Sequence, residues 1–323
     1  MKRYQLLFVF ALIFINANNL FACEFCAIHN IIDNREREDG DLIAGIAYQY
    51  SFSDSPKKQL GFEALGRQEL QSYITQVYAG YNFNKELSLQ YNLPVIYREF
   101  RRFKNNHNES GSESGLGDLT MLLRYTPFQE FHSNSNYRLD FFTGLKLPTG
   151  NTDRLKEVRD DHSERINFRH GGADGNLIGG DDLTLGTGSL DYILGSSLYY
   201  QYSRYHLVGN AQYLFRTEGD YDYQFGNDFQ WFLSQGYFLT LDHSHTLALR
   251  FRLSGETKEK DKLNGIKQNG SEEMNLFAGP ELILTLGDNT TLQVLADFAL
   301  ENDDSEFEVV PKKRFIVSFN CLF

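Results

Sequence analysis

The chain is poor in cysteine, proline and methionine, with 3, 6 and 3 residues among 323. Three thiols do not make a disulfide scaffold. Long apolar runs are missing beyond the N-terminal segment. The mean hydropathy of −0.43 leaves no later stretch able to form a transmembrane helix. Any surplus of positive charge is missing too, and the net charge of −12 sets the chain against the phosphates of nucleic acid. What is plentiful is aromatic: 15% of residues, with 19 Tyr and 27 Phe. Many aromatics without apolar runs suit half-exposed strands bounded by aromatic girdles.

The N-terminus reads as a processing segment. Lys2 and Arg3 precede an apolar core at residues 6–15 and then Leu20-Phe21-Ala22, the layout of a secretory signal peptide over residues 1–22. Leu20-Phe21-Ala22-Cys23 also resembles a lipoprotein cleavage box, although Phe21 is bulky there. Residues 23–41 are expected to form a periplasmic segment able to act as a plug. It opens on Cys23, Cys26 and His29, two thiols and an imidazole that could hold a soft or borderline metal. The thiols could instead cycle as a strained disulfide. A lipidated Cys23 or a plain disulfide are the simpler readings. Ala27 stands where a haem-attachment motif needs His, and no other cofactor is expected.

From residue 42 onward, strand-length runs are expected at 42–52, 71–83, 87–100, 117–126, 137–147, 189–202, 206–217, 223–241, 246–254, 274–286, 291–300 and 314–323. Their connections alternate. Residues 53–70, 101–116, 148–188, 255–273 and 301–313 are long, charged and rich in Gly, Asn or Asp. Residues 84–86, 203–205, 242–244 and 287–290 are tight turns. The stretch 127–136 is long for a turn, and 218–222 is short for a loop. Long loops at one end and short turns at the other mark an up-and-down barrel of an outer membrane. A Greek-key sandwich has no reason to sort its connections so.

The faces agree with that pattern. Tyr137, Leu139, Phe141, Leu145 and Leu147 oppose Arg138, Asp140 and Lys146; Leu247, Leu249, Phe251 and Leu253 oppose Arg250, Arg252 and Ser254. Phe229, Trp231, Leu233 and Tyr237 likewise oppose Asp228, Gln230 and Ser234. Asp118, Arg124, Asp191, Arg216, Glu281 and Asp297 fall on polar faces as well. Together with Arg138, Asp140, Lys146, Asp228, Arg250 and Arg252 they are expected to line a lumen as a mixed lattice and set its selectivity. Charge on the lipid face would cost about 2–4 kcal/mol at mid-membrane.

The last ten residues obey the same rule. Phe315, Val317, Phe319, Cys321 and Phe323 share one face; Arg314, Ser318 and Asn320 share the other. A final strand closed by Phe resembles the C-terminal signal of bacterial outer-membrane barrels. Outer-membrane lipid and, through Phe323, the barrel-assembly machinery are the expected partners. Cys321 then faces lipid, away from Cys23 and Cys26.

Three motifs recur where long loops meet strands: Gly115-Leu116-Gly117-Asp118-Leu119-Thr120 with Arg124-Tyr125, then Leu147-Pro148-Thr149-Gly150-Asn151, then Leu185-Gly186-Thr187-Gly188-Ser189-Leu190-Asp191. Each alone is ordinary turn chemistry. As an ordered series over residues 115–323 they resemble the outer-membrane family named for the MetA pathway of phenol degradation, also labelled transporters. That resemblance implies a small outer-membrane channel for hydrophobic or aromatic compounds and implies no catalytic residues.

Other clusters hold residue types capable of chemistry. Asp160-Asp161-His162 and His170-Gly171-Gly172-Ala173-Asp174-Gly175 are oxygen-rich but do not match the EF-hand spacing; a solvated or infolded constriction loop fits 148–188 better. Phe131-His132-Ser133-Asn134-Ser135 and Asp242-His243-Ser244-His245 hold the residue types of a hydrolase, but in connections expected on the periplasmic side. Asp161 and His162, near the outer mouth, are the types an outer-membrane protease would use. The chain is therefore expected to be all-β and not an enzyme: a transmembrane up-and-down antiparallel β-barrel of about 12 strands over residues 42–323. It is expected in the bacterial outer membrane as a channel for a small hydrophobic or aromatic solute. The alternatives are a non-conducting structural barrel, a metal- or redox-linked one and, behind these, a hydrolase.

Overall fold

The computed structural model describes residues 38–55, 67–104, 107–132, 134–163, 176–242, 244–287, 289–302 and 309–323. The expected signal peptide and Cys23, Cys26 and His29 lie outside them, as do residues 170–175, Ser133 and His243.

Twelve long antiparallel strands close into one barrel. In chain order they are β1 (Leu42–Asp54), β2 (Glu69–Asn82), β3 (Leu87–Lys104), β5 (Leu119–Phe131), β6 (Ser135–Leu147), β7 (Asp191–Tyr202), β8 (Tyr205–Phe215), β10 (Asp228–Leu241), β11 (His245–Lys258), β14 (Glu273–Leu286), β15 (Thr290–Asn302) and β16 (Val310–Leu322). Between them fall β4 (His107–Leu116), β9 (Tyr223–Gln224), β12 (Lys262–Leu263) and β13 (Ile266–Lys267), with helix α1 (Leu155–Ser163) and the single turn α2 (Gly180–Leu183). β1 pairs with β2 on one side and β16 on the other, which closes the ring. At the seam Phe323 N donates to Leu42 O at 2.8 Å, and Leu42 N donates to Phe323 O at 3.1 Å. Closure leaves no open edge at the level of lipid, where an unpaired backbone group would be costly.

The distribution of side chains is inverted relative to a soluble protein. Leu194, Phe251, Val77 and Phe298 point outward at 57%, 61%, 52% and 47% exposure, while Arg138, Asp140, Asp191 and Arg252 sit inside at 2% or less. Water would not tolerate that arrangement across a whole surface; hydrocarbon demands it. On β14 the outward residues Leu276, Ala278, Pro280, Leu282, Leu284 and Leu286 form one such belt, 11 residues long, the length a tilted strand needs to cross a bilayer. Toward the long-loop end an aromatic row runs Phe298–Phe315–Tyr50–Tyr73–Tyr97, with ring centroids 6.0, 6.4, 5.2 and 5.7 Å apart.

Several boundaries depart from the sequence pattern. Within residues 101–116, expected as a loop, 101–104 extend β3 and 107–116 form β4, which among the described residues pairs with the outer half of β3. β4 has no apolar alternation to betray it, and its ladder comes from the partner strand. The expected strand 223–241 is broken at residues 225–227: Tyr223–Gln224 form β9, which pairs with β12 outside the barrel, and β10 starts at Asp228. Tyr221 and Asp222, with φ of 61° and 56°, turn the chain just before β9. Of residues 127–136, most are strand: β5 runs to Phe131 and β6 starts at Ser135. The ladder skips a step between Tyr125 and Phe128, where Pro127 has no N–H to offer, and then resumes.

Candidate functional site: the long-loop mouth of the barrel

Of the loop after β6, residues 176–187 fold into the mouth. Leu183 and Ile178 pack on Leu70 of β2 and Phe100 of β3, and Leu185 packs deeper on Ile74 and Ile96. These are inward-facing positions of the barrel wall, so residues 176–187 narrow the lumen from one side. Of the solvated or infolded loop expected of 148–188, residues 176–187 are infolded, and polar groups hold them there. Arg98 donates to the carbonyls of Asp182 and Thr184, and Arg102 to that of Ile178. Arg102 is 1% exposed and also pairs with Glu109 and Glu157 at 2.9 Å each.

The three recurrent motifs meet at one side chain. Asp118 accepts from Gly150 N at 2.9 Å, Thr187 N at 2.8 Å and Thr187 Oγ1 at 2.9 Å, and pairs with Lys146 at 2.8 Å. Thr149 Oγ1 donates to Gly117 O and accepts from Leu119 N. Gly150 and Gly186 are required by close approach: a Cβ on Gly150 would lie 2.7 Å from Gly186 Cα. Motif spacing therefore encodes a knot at the foot of the infolded segment, built from residues about 30 to 70 positions apart in the chain.

All twelve residues expected to line the lumen are buried inside the barrel. Asp140 accepts from Thr126 and Ser197 at 2.7 and 2.8 Å and pairs with Arg124 and Arg138 at 3.3 and 3.4 Å. Arg216 bridges Asp191 and Asp228, with contacts of 2.9 and 2.7 Å. Arg250 lies 3.7 Å from Glu281 and donates to His206 Nε2 at 2.7 Å. Arg314 joins Asp297 at 3.1 Å and also Glu256. Arg252 makes no ion pair among the described residues; its guanidinium lies 4.1 Å from the Phe232 ring centroid. Buried charge persists where it is paired, so most of this lattice is self-neutralising.

Between the infolded segment and the wall of β1, β2, β16, β14 and β11 lies a chamber of about 180 Å³, open to the mouth. Leu70, Ile74, Ile96, Leu185, Phe277 and Val309 give it an apolar side; Arg98, Arg216, Arg314, Asp228, Glu256 and Glu273 give it a charged one. Arg98, Gln49 and Gln76 do not stand out in the sequence, although each sits on the polar face of an expected strand. Ile178 and Leu183 lie in a segment without periodicity, and nothing local marks them.

Beyond the apolar belt the loops build a cap with its own core of Leu155, Val158, Tyr223 and Leu263. Tyr223 Oη lies 2.6 Å from Asp261 Oδ2 and 3.0 Å from Asp181 Oδ2, and Lys258 pairs with Asp261 and Glu273 at 3.2 and 2.8 Å. Burial pushes the Glu273 carboxyl up to about 7, against the pull of Lys258 and with Asp182 and Asp261 adding to the push. Burial raises Asp261 as well, again against Lys258. A carboxyl raised on closing favours the closed cap at low pH, fully below its ordinary value of about 4.3. The advantage is lost as pH rises through about 7. Amide hydrogen exchange over residues 176–187 and 259–272, corrected for intrinsic rate, is expected to be about tenfold faster at pH 8.5 than at pH 5.5. Equal protection at both would refute the titration.

Helix α1 is held differently. Although burial pushes Glu157 up, Lys104, Arg102 and Arg154 hold its carboxyl at about 2, so that contact does not change over the same range.

The short-turn end brings one serine, one histidine and one aspartate of the described residues close together. Ser244 Oγ is 3.0 Å from His245 Nδ1, and His245 Nε2 is 3.7 Å from Asp242. These three residues belong to one exposed turn.

No sequence family matches the chain, and no curated protein does. Among solved structures it is similar to an outer membrane channel from Pseudomonas putida F1, with 18% identity over 90% of this chain and 98% of that one, at a TM-score of 0.61. At that identity the likeness is one of fold. The β domain of the Bordetella autotransporter BrkA aligns over 88% of this chain and 100% of its own with 10% identity and a TM-score of 0.44. The translocator domain of the autotransporter NalP from Neisseria meningitidis aligns over 88% and 89% with 10% identity and a TM-score of 0.41. These looser likenesses carry no argument. The fold is that of outer-membrane β-barrels.

Proposed function

We propose that the chain is an outer-membrane channel that admits a small apolar or aromatic solute through the chamber at its long-loop mouth, which then faces the outside of the cell. The observation that carries the reading is the chamber itself. It is mouth-accessible, apolar on the side of Ile74, Ile96 and Leu185, and bounded by a segment folded in from a loop. Apolar pockets with a few placed polar groups are the usual form of small-molecule sites. The fold of the Pseudomonas putida outer membrane channel supports the same class of function. Selectivity among charged solutes would fall to the lattice from Asp118 to Asp297, because a narrow low-dielectric lumen magnifies each fixed charge.

A non-conducting structural barrel is the second reading, favoured by how completely that lattice is buried. Planar bilayers separate the two. The channel is expected to give discrete conductance steps in KCl, interrupted when millimolar toluene is added on the long-loop side. Silence at all voltages would leave the structural barrel standing.

A further inference from the structure

The wall of the chamber formed by β1, β2 and β3 carries polar groups that the ion-pair lattice does not use. Gln49 and Gln76 line the chamber, are 1% and 2% exposed, and each has an Oε1 without a hydrogen-bond partner among the described residues. Their surroundings explain why. On neighbouring strands Gln49 stands between Ile74 and Ile316, and Gln76 between Ala47 and Pro94. None of those side chains can donate. One level further from the mouth, Asn92 of β3 has both Nδ2 and Oδ1 unpartnered at 3% exposure. Across the ladder from it Thr120 has an unpartnered Oγ1 at 1%.

Four orphan polar groups thus descend one side of the lumen on three levels: Gln76 lies two residues below the partner of Gln49, Asn92 two below the partner of Gln76, and Thr120 is level with Asn92, about 7 Å per step. Buried polar atoms are nearly always hydrogen-bonded, and the unpartnered acceptors of Gln49 and Gln76 on the apolar wall of the chamber point to a ligand that completes them. The row offers acceptors at Gln49 and Gln76, and donors as well at Asn92 and Thr120. A hydroxyl both donates and accepts, carries no charge, and can be borne by an apolar body that fits against Ile74, Ile96 and Leu185. An anion would find acceptors, and a cation would find no carboxylate in the row.

We infer that Gln49 and Gln76 form a subsite that selects apolar solutes bearing a hydroxyl group over hydrocarbons of the same shape, with Asn92 and Thr120 as the next step inward. The inference rests on the chamber being the solute site and does not depend on conduction.

The test uses an isosteric pair, cyclohexanol and methylcyclohexane, titrated calorimetrically into the mature protein in lipid nanodiscs, with empty nanodiscs subtracted. Cyclohexanol is expected to bind saturably and at least about tenfold more tightly than methylcyclohexane, because an alcohol satisfies groups that the hydrocarbon leaves unpaired. Gln49→Met and Gln76→Met, made separately, are each expected to weaken cyclohexanol severalfold and leave methylcyclohexane unchanged. Both variants keep side-chain volume and remove an unsatisfied acceptor, so their melting temperatures are expected to equal or exceed the parent's. Equal affinity for the two ligands, or cyclohexanol binding untouched by both substitutions, overturns the subsite and leaves the chamber as a general apolar site. Absence of saturable binding by either ligand overturns both. Saturable, selective binding by a protein that never conducts would sink the channel and keep the subsite.

Discussion

Asp118→Ala is expected to free the infolded segment and raise single-channel conductance severalfold. Four contacts converge on this carboxylate, from Gly150, Thr187 twice and Lys146, and the side chain is 2% exposed. Alanine would strand a buried ammonium and two backbone N–H groups. Breaking one partner of a buried pair in this way typically costs about 3–5 kcal/mol. The cost falls on the loop, because the twelve-strand ladder closes without it. Residues 176–187 would then swing out from Ile74, Ile96 and Leu70, and the chamber would merge with the outer mouth. Asp118→Asn keeps the shape and one acceptor oxygen, and is expected to fall between the two. The pairing of conductance with trypsin sensitivity of the loop is decisive. A loop that becomes cleavable while conductance stays at the parental level would show that the segment does not constrict the lumen.

Phe251→Arg is the second large effect, and it tests which face meets lipid. Phe251 is 61% exposed, whereas its neighbours Arg250 and Arg252 are buried in the lumen at 3% and 2%. On a soluble protein an exposed Phe could become Arg within about 0.5 kcal/mol. On a lipid face near mid-membrane the same change costs about 2–4 kcal/mol. Phe251 stands opposite Pro280, close to the middle of the β14 belt, so the larger value is expected. Urea unfolding in phospholipid vesicles reads the difference, with Phe251→Leu as the control for lost ring contacts. An arginine variant as stable as the leucine control would contradict a membrane-spanning β11.

The barrel was legible in the residues because its cause is local. In β11 Leu247, Leu249 and Phe251 alternate with Ala248, Arg250 and Arg252, and a strand must send those two sets to opposite faces. Neither face is a soluble core, and the sorting of long loops from short turns supplied the axis. Parity alone assigned the twelve charged positions to the inner face, where they are buried. Where parity was absent the reading stopped short. His107–Leu116 reads His-Asn-Glu-Ser-Gly-Ser-Glu-Ser-Gly-Leu and became a strand only because β3 extends far enough to pair with it. Tyr223 looked like the start of a barrel strand and serves instead in the core of the cap, because β9 pairs with β12, whose residues lie about 40 positions on, rather than with a barrel strand.

The motifs around Gly115, Gly150 and Gly186 mark the same divide. Their order and composition were visible, and each alone was indistinguishable from a turn. That Asp118 ties all three depends on β5, β6 and the segment before β7 arriving at one place, which barrel closure imposes and no local pattern contains.

The sequence by itself determined the period of two, the even set of strands, and which side chains turn inward, since these derive from backbone geometry one residue at a time. The tertiary structure decided which inward charges neutralise one another, where residues 176–187 come to rest, and that Oε1 of Gln49 and of Gln76 has no partner among the described residues beside an apolar wall. Those outcomes are sums over residues far apart in the chain. They are fixed when the ring closes and its lumen has to be filled.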